Sequence, residues 1–206
     1  MSATLILVRH GNTFGPDDTP TRVGARTDLP LVASGHMQAE RLGAAFADRG
    51  IVFERVLVSP LTRTRETAAL ILARQAAPPA VEPCDWLAEI DHGPDENRTD
   101  DAVIARIGAA ALKAWEDSAT PPPDWTVNGA ARIAAWRALF ADAAGGADRA
   151  ILLVTSNGAA RFALLADAGL AEAAKALPSL KLRTGAWGRI AIAADGPRLL
   201  EWDRRP

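Results

Sequence analysis

The sequence predicts an α/β protein, a three-layer α/β/α sandwich around a mostly parallel central sheet, in a single domain of residues 1–206. Three observations lead there. Short continuous apolar runs, the mark of strands buried on both faces, alternate with stretches whose apolar residues recur at helical spacing. Three of those runs end on chemically rich tails: Val8 on Arg9-His10-Gly11, Val58 on Ser59-Pro60, and Val154 on Thr155-Ser156-Asn157-Gly158. In sheets of this kind the ligand site lies beyond the carboxyl ends of the strands. Finally, 206 residues with 49% hydrophobic and 23% charged composition suit one globular domain with a buried core, and no linker or repeat divides them.

Leu5–Val8 is the first strand, followed by a Gly-, Pro-, Asp- and Thr-rich loop from Gly11 to Pro30. Met37, Leu42, Ala45 and Phe46 repeat at helical spacing until Gly50 stops the helix. Ile51–Val58 reads as the second strand, and Thr62–Arg74 as a helix with Ala68, Ile71 and Leu72 inward. Pro78–Pro83 is predicted to be a loop. Ala102–Trp115 places Ile104, Ile107, Ala111 and Trp115 on one helical face before Pro121-Pro122-Pro123 breaks the pattern. Ala130–Ala143, with Ile133, Trp136, Leu139 and Phe140, is the next helix, ended by Gly145-Gly146. Ile151–Thr155 is a buried strand, Ala159–Ala168 a helix, and Trp187–Ala193 with Leu199–Trp202 close the sheet as edge strands.

Several function classes receive no support. A net charge of -2 gives no electrostatic reason for a nucleic-acid or acidic-membrane partner. The lone Cys84 can neither form an internal disulfide nor build a cysteine-rich metal site, and reads as a half-buried loop residue. The N-terminal apolar run is too short for a secretory signal, and nothing approaches the roughly 18 apolar residues of a membrane span. A cytoplasmic protein is expected, so the Asn97-Arg98-Thr99 sequon is accidental.

The strand-end tails carry the chemistry. His10 follows a buried strand directly, and Gly11 lets the chain turn close to a ligand. A neutral imidazole can attack phosphorus without prior deprotonation, and neighbouring arginines suppress its protonated form. Arg63 falls in the first turn of the helix after the second strand, where free N–H groups already favour anions. Its guanidinium fork adds paired, charge-assisted hydrogen bonds to phosphate oxygens. Arg65, two residues on, points elsewhere and reads as a surface residue. The segment Leu87 to Glu96 holds four acids, Glu89, Asp91, Asp95 and Glu96, any of which could protonate a leaving oxygen; spacing does not choose among them. His36 reads as exposed.

Taken in order, these motifs resemble the histidine phosphatase superfamily, the phosphoglycerate-mutase-like group. The resemblance rests on Arg9-His10-Gly11, on Thr27-Asp28-Leu29-Pro30-Leu31 with Gly35, Gln38 and Ala39, on Ser59–Ala68, and on the Leu-x-Glu loop Leu87–Gly93. It implies that His10 forms a phosphohistidine, that Arg9 and Arg63 hold the phosphoryl oxygens, and that Glu89 acts as acid and then as base for water. No metal or other cofactor is implied, since the arginines supply the offsetting charge.

One departure stands out. The family's second histidine corresponds to Asn157, which keeps an N–H donor but carries no positive charge. A phosphate contact survives there, weakened by about 1–2 kcal/mol, or roughly ten-fold in rate. The substitution opens the alternative of a phosphate- or partner-binding pseudophosphatase; intact His10 and Glu89 favour an enzyme. His92, three residues beyond Glu89, is a candidate to contact substrate or replace part of the lost positive character. The resemblance further implies a substrate-selecting helical lid at about 97–146, where Trp115, Trp125 and Trp136 read as core residues. The expected activity is hydrolysis of a small phosphorylated metabolite through phosphohistidine; a mutase-type phosphotransferase is the alternative within the same chemistry.

Overall fold

The structure is a computed structural model that describes residues 3–144 and 149–206. Its centre is a six-stranded sheet in the order β3-β2-β4-β1-β5-β6. The strands are β1 (Ala3–Arg9), β2 (Phe53–Val58), β3 (Val81–Pro83), β4 (Arg149–Thr155), β5 (Trp187–Ala193) and β6 (Gly196–Arg204). β1, β2, β3 and β4 run parallel, whereas β5 and β6 are antiparallel additions beside β1. The mostly parallel sheet expected from the sequence is therefore present.

Alternation along each buried strand sorts side chains onto two faces. Ile6, Val8, Val56, Val58, Leu152 and Val154 form one core with α1 (Ala33–Asp48) and α2 (Thr62–Leu72). Leu5, Leu7, Leu57, Ile151, Leu153 and Ile190 form the other, beneath α5 (Gly129–Ala144), α6 (Asn157–Leu165) and α7 (Ala168–Ala174). These are the three layers. Phe46 of α1 locks its layer to the sheet through edge-on contacts with Phe53 and Trp187, ring centroids 5.6 and 5.5 Å apart.

Local differences from the sequence expectations have physical causes. Pro78–Pro83 is not wholly a loop: Val81–Pro83 pairs with β2 as the edge strand β3, a place where proline is tolerated. The helix expected over Ala102–Trp115 is two, α3 (Asp100–Ile107) and α4 (Ala109–Ser118), separated by Gly108 at φ +80°. Ile104, assigned to an inner face, is exposed, as is Met37 of α1. α7 was not anticipated; Asp167 caps it by accepting from the N–H groups of Gly169 and Leu170 at 2.8 and 3.1 Å. β5 is no edge strand, because β1 and β6 flank it. The predicted stop at Gly145-Gly146 lies outside the described residues. No helix among the described residues is long and apolar enough to cross a membrane.

The stretch 97–146 contains α3, α4 and α5. α5 buries Trp136, Leu139, Phe140 and Ala143 in the main core. α3 and α4 instead stand beside the carboxyl ends of the strands and line the cavity there.

Truncating the link between α1 and the sheet tests this packing. Phe46→Ala should cost about 3–5 kcal/mol, read as a lower urea midpoint with an unchanged slope.

Candidate active site

The parallel strands align the site before any side chain is considered. Val8, Val58 and Val154 stand in register across β1, β4 and β2, so the three tails leave the sheet at one level. Beyond them lies a cavity of about 550 Å³ whose wall includes Arg9, His10, Glu89, His92 and Asn157. Five of the sequence-predicted site residues thus meet in one place, and Arg63 joins them through a hydrogen bond to His10.

His10 is buried, its backbone N–H donating to Thr155 O at 3.1 Å. Its ring partners fix the tautomer. Nδ1 lies 2.7 Å from Gly11 O, an acceptor, so Nδ1 carries the proton. Nε2 accepts from Arg63 Nε at 3.2 Å, so its lone pair faces the arginine. Burial, then the charges of Arg9 and Arg63, hold the His10 pKa well below the usual 6.5, leaving a neutral imidazole at pH 7. The close turn needs glycine: a Cβ on Gly11 would run into the backbone of Gly35 at the start of α1.

The arginines are held by backbone carbonyls. Arg63 donates from Nη1 to Thr27 O at 2.8 Å and from Nη2 to Gly24 O at 3.2 Å. Arg9 donates from Nη1 to Leu182 O at 2.8 Å, while its buried Nε has no protein partner. Burial lowers the Arg9 pKa to about 10, so it remains charged at pH 7.

One expectation is corrected here. The first N–H group of α2 is not open to a ligand, because Asp28 already takes it. Its carboxylate accepts from Thr62 N–H at 2.7 Å and from the Thr62 hydroxyl at 2.8 Å. Arg63 meets the cavity through its side chain, by way of His10. Arg65 is exposed, as expected, and so is His36.

Among the four acids of the loop, geometry separates one. Glu89 is buried against the first turn of α6, accepting from Ile90 N–H at 2.9 Å and Gly158 N–H at 3.1 Å. A Cβ on Gly158 would collide with Glu89 Oε1, so this contact depends on glycine. Burial pushes the Glu89 pKa up, but His92, the two N–H groups and Arg63 outweigh it, and the free carboxylate is ionised. The other acids have structural partners. Asp95 pairs with Arg106 and the Trp125 indole, Asp91 accepts from Arg26, and Glu96 accepts from Arg26 N–H and the Thr27 hydroxyl.

Asn157 opens α6. Its Oδ1 accepts from Leu182 N–H at 2.9 Å, which leaves the amide NH₂ for the cavity. His92 lines the wall edge-on to Trp125, centroids 4.6 Å apart. Burial lowers its pKa to about 4, so it is neutral at pH 7 and supplies no compensating charge.

Sequence reasoning missed two arginines. Arg132 of α5 grips the acid loop, donating to the carbonyls of Val127, Trp86 and Ala88 at 3.0, 2.8 and 2.7 Å. Arg161 of α6 lines the cavity four residues beyond Asn157. The helical spacing from Asn157 was the available signal for Arg161; Arg132 left none. No group of three or more metal-ligating side chains occurs among the described residues.

A neutral strand-end imidazole hydrogen-bonded to a guanidinium, arginines without carboxylate partners among the described residues and a buried carboxylate form an arrangement suited to phosphoryl groups. The chain belongs to the histidine phosphatase superfamily (branch 1), whose family model matches residues 5–205. It is 32% identical over 124 residues to a 2,3-bisphosphoglycerate-dependent phosphoglycerate mutase of Rhizobium johnstonii, covering 60% of this chain and 58% of the relative. The match therefore spans less than two thirds of that relative's length. The solved alpha-ribazole phosphatase of Shigella flexneri is similar at 25% identity and TM-score 0.73, covering 98% of this chain and 96% of that one. A mycobacterial glucosyl-3-phosphoglycerate phosphatase, 23% identical with TM-score 0.75, covers 98% and 99% respectively and bears on the fold alone.

The buried histidines make stability fall with acid. In the unfolded chain His92 titrates near 6.5, in the folded one near 4. Between these values the unfolded state binds the proton first, so stability is lost as pH drops from about 6.5 towards 4; His10, shifted in the same direction, adds to the loss. The His92 contribution is on the order of 2–3 kcal/mol. Thermal melts between pH 7 and 4.5 should show a flatter decline for His92→Phe, which keeps a ring against Trp125. A variant that tracks the parent would contradict this assignment.

Proposed function

We propose that the chain is a phosphomonoester hydrolase that works through a phosphohistidine on His10. The observation that carries this reading is the Nε2 lone pair of a neutral, buried His10, set beside Arg63 in a cavity it shares with Arg9 and Glu89.

The steps balance. Arg9, Arg63 and the Asn157 amide bind the phosphoryl oxygens. Arg63 turns its Nε–H from His10 to a phosphoryl oxygen, which frees the Nε2 lone pair; Nε2 attacks phosphorus, and the P–O bond to the leaving group breaks, its electron pair departing with oxygen. Glu89 protonates that oxygen. The incoming phosphate charge raises the Glu89 pKa towards the protonated form this step needs. The resulting Glu89 carboxylate then takes a proton from water, whose oxygen attacks phosphorus; the N–P bond breaks and returns its pair to Nε2. Phosphate leaves. Nothing in this sequence requires a metal, since guanidinium charge offsets the transferring group. The substrate is a small phosphorylated metabolite admitted past α3 and α4, the lid of a single domain. Mutase-type transfer is the second reading, supported by the name of the Rhizobium relative.

Incubation with an aryl phosphate in EDTA should release phosphate and leave base-stable, acid-labile phosphate on the protein. His10→Ala should lose more than about a thousand-fold in turnover and all label. Glu89→Gln should still label with an aryl phosphate, whose good leaving group needs no acid, yet accumulate the phosphoenzyme for want of a base. Absence of turnover and label with every phosphomonoester offered would overturn the hydrolase reading. Phosphate passed to an alcohol acceptor in place of water would favour the mutase.

The Asn157 contact is separately measurable. Asn157→Ala should lower kcat/KM about ten-fold, and Asn157→Asp further, since a carboxylate repels the phosphate. Equal rates for all three forms would remove Asn157 from the site.

A further inference from the structure

The loop that carries Glu89 is held along its backbone by groups remote in sequence. Every carbonyl from Trp86 to Asp91 accepts a hydrogen bond. Leu87 O takes the buried Thr155 hydroxyl at 2.6 Å, Ile90 O the N–H of Ala25 at 3.0 Å, and Asp91 O the N–H of Thr126 at 2.9 Å. The carbonyls of Trp86, Ala88 and Glu89 all go to Arg132. Its Nη1 donates to the first two at 2.8 and 2.7 Å, and its Nη2 to the third at 3.4 Å. Nε of the same guanidinium donates to Val127 O at 3.0 Å, on the segment that returns from α4 to α5.

Glu89 does not set its own position. Its Oε1 accepts from the N–H of the next residue, Ile90, and its Oε2 from Gly158 N–H, so the carboxylate goes where the loop backbone goes. In the hydrolase reading it must reach a leaving oxygen and then a water, and a misplacement of about 1 Å can cost on the order of a hundred-fold in rate. Arginine suits this task. Its planar fork offers N–H groups in several fixed directions and can serve carbonyls spaced along a bent chain, whereas a lysine ammonium is a single point. Removing the fork leaves three consecutive donor–acceptor pairings of the loop to be remade, while Thr155, Ala25 and Thr126 still hold it elsewhere. The loop should loosen without the fold coming apart.

We propose that Arg132 is the positioning residue for Glu89, fixing the acid loop so that the carboxylate stays within reach of leaving group and water. Arg132 stands behind the cavity wall and not on it, so it acts through the loop alone. The role rests on the hydrolase reading, but the grip itself is measurable without turnover.

The kinetic test separates the steps that need Glu89 from the one that does not. With 4-nitrophenyl phosphate, Arg132→Ala should keep the parent's burst of nitrophenol, because that leaving group needs no acid. Its steady-state rate, which waits on base-assisted attack of water, should fall on the order of ten- to a hundred-fold. With glycerol phosphate, whose poor leaving group needs the acid, the first turnover should already be slowed by a similar factor. Arg132→Lys, the milder change, should show the same pattern with a smaller loss. Millimolar guanidinium chloride should restore part of the Arg132→Ala loss, and sodium chloride should not. Equal slowing of burst and steady state in both variants, or equal losses on the aryl and alkyl esters, overturns the positioning role and leaves the hydrolase standing.

Amide hydrogen exchange reads the grip directly. In both variants the N–H groups of Ile90 and Gly158, which bond to the Glu89 carboxylate, should exchange faster, while those of the β4 core, such as Leu152, stay as protected as in the parent. Unchanged exchange at Ile90 and Gly158 overturns the proposal whatever the kinetics. Faster exchange there, in a protein whose unaltered form turns over no phosphomonoester, sinks the hydrolase and leaves the grip.

Discussion

The site depends on guanidinium groups that are oriented without being neutralised. Arg63 is held by the carbonyls of Thr27 and Gly24, Arg9 by that of Leu182, and Arg161 by that of Trp115. A carboxylate partner would have fixed each side chain equally well, but would have cancelled the charge a phosphoryl group needs. Carbonyl dipoles supply geometry and leave the field intact. Glu89, the buried acid facing these cations, is itself engaged by two N–H groups. Burial lowers Arg9 and Arg161 only to about 10, so both stay charged at pH 7, while burial and then the charges of Arg9 and Arg63 keep His10 neutral. A neutral imidazole and charged guanidinium groups thus share one buried site.

Holding that imbalance requires close backbone approach. The register of β1, β4 and β2 brings three chain ends to one level, and glycine lets them touch. Gly11 abuts Gly35, so the turn carrying His10 rests on α1; Gly158 admits Glu89 against the first turn of α6. Both helix N-termini near the cavity are used internally, α2 by Asp28 and α6 by Glu89. The positive ends of the helix dipoles therefore position acids.

What was legible in the sequence was local. Buried strands announce themselves as apolar runs, and their tails name His10, Arg9 and Asn157 at once. Arg63 and Glu89 were found through motif order, and the structure brings them to His10. The misjudged pieces are those decided at long range or by single residues. β3 is three residues whose strand character exists only because β2 runs alongside. Gly108 divides a helix that apolar spacing alone would continue. The partnership of Asp28 with Thr62 links residues 34 apart, and Arg132 meets the acid loop across more than 40 positions. No local pattern encodes such contacts. His92 was identified as a cavity residue, yet its charge state depends on burial that composition cannot supply.

Asn157 shows how a residue that reads as a loss can be a fitted part. The peptide of Leu182 is bound at both ends by the site: its N–H donates to Asn157 Oδ1 and its carbonyl accepts from Arg9. Asparagine can accept that N–H while turning its own NH₂ group towards the cavity. A charged imidazolium, a donor at both nitrogens, could not. With asparagine at 157, the segment carrying Leu182 is tied to the start of α6, and Arg9 is oriented through the same peptide. Arg161, a helical turn further on in α6, brings a buried guanidinium to the same cavity wall.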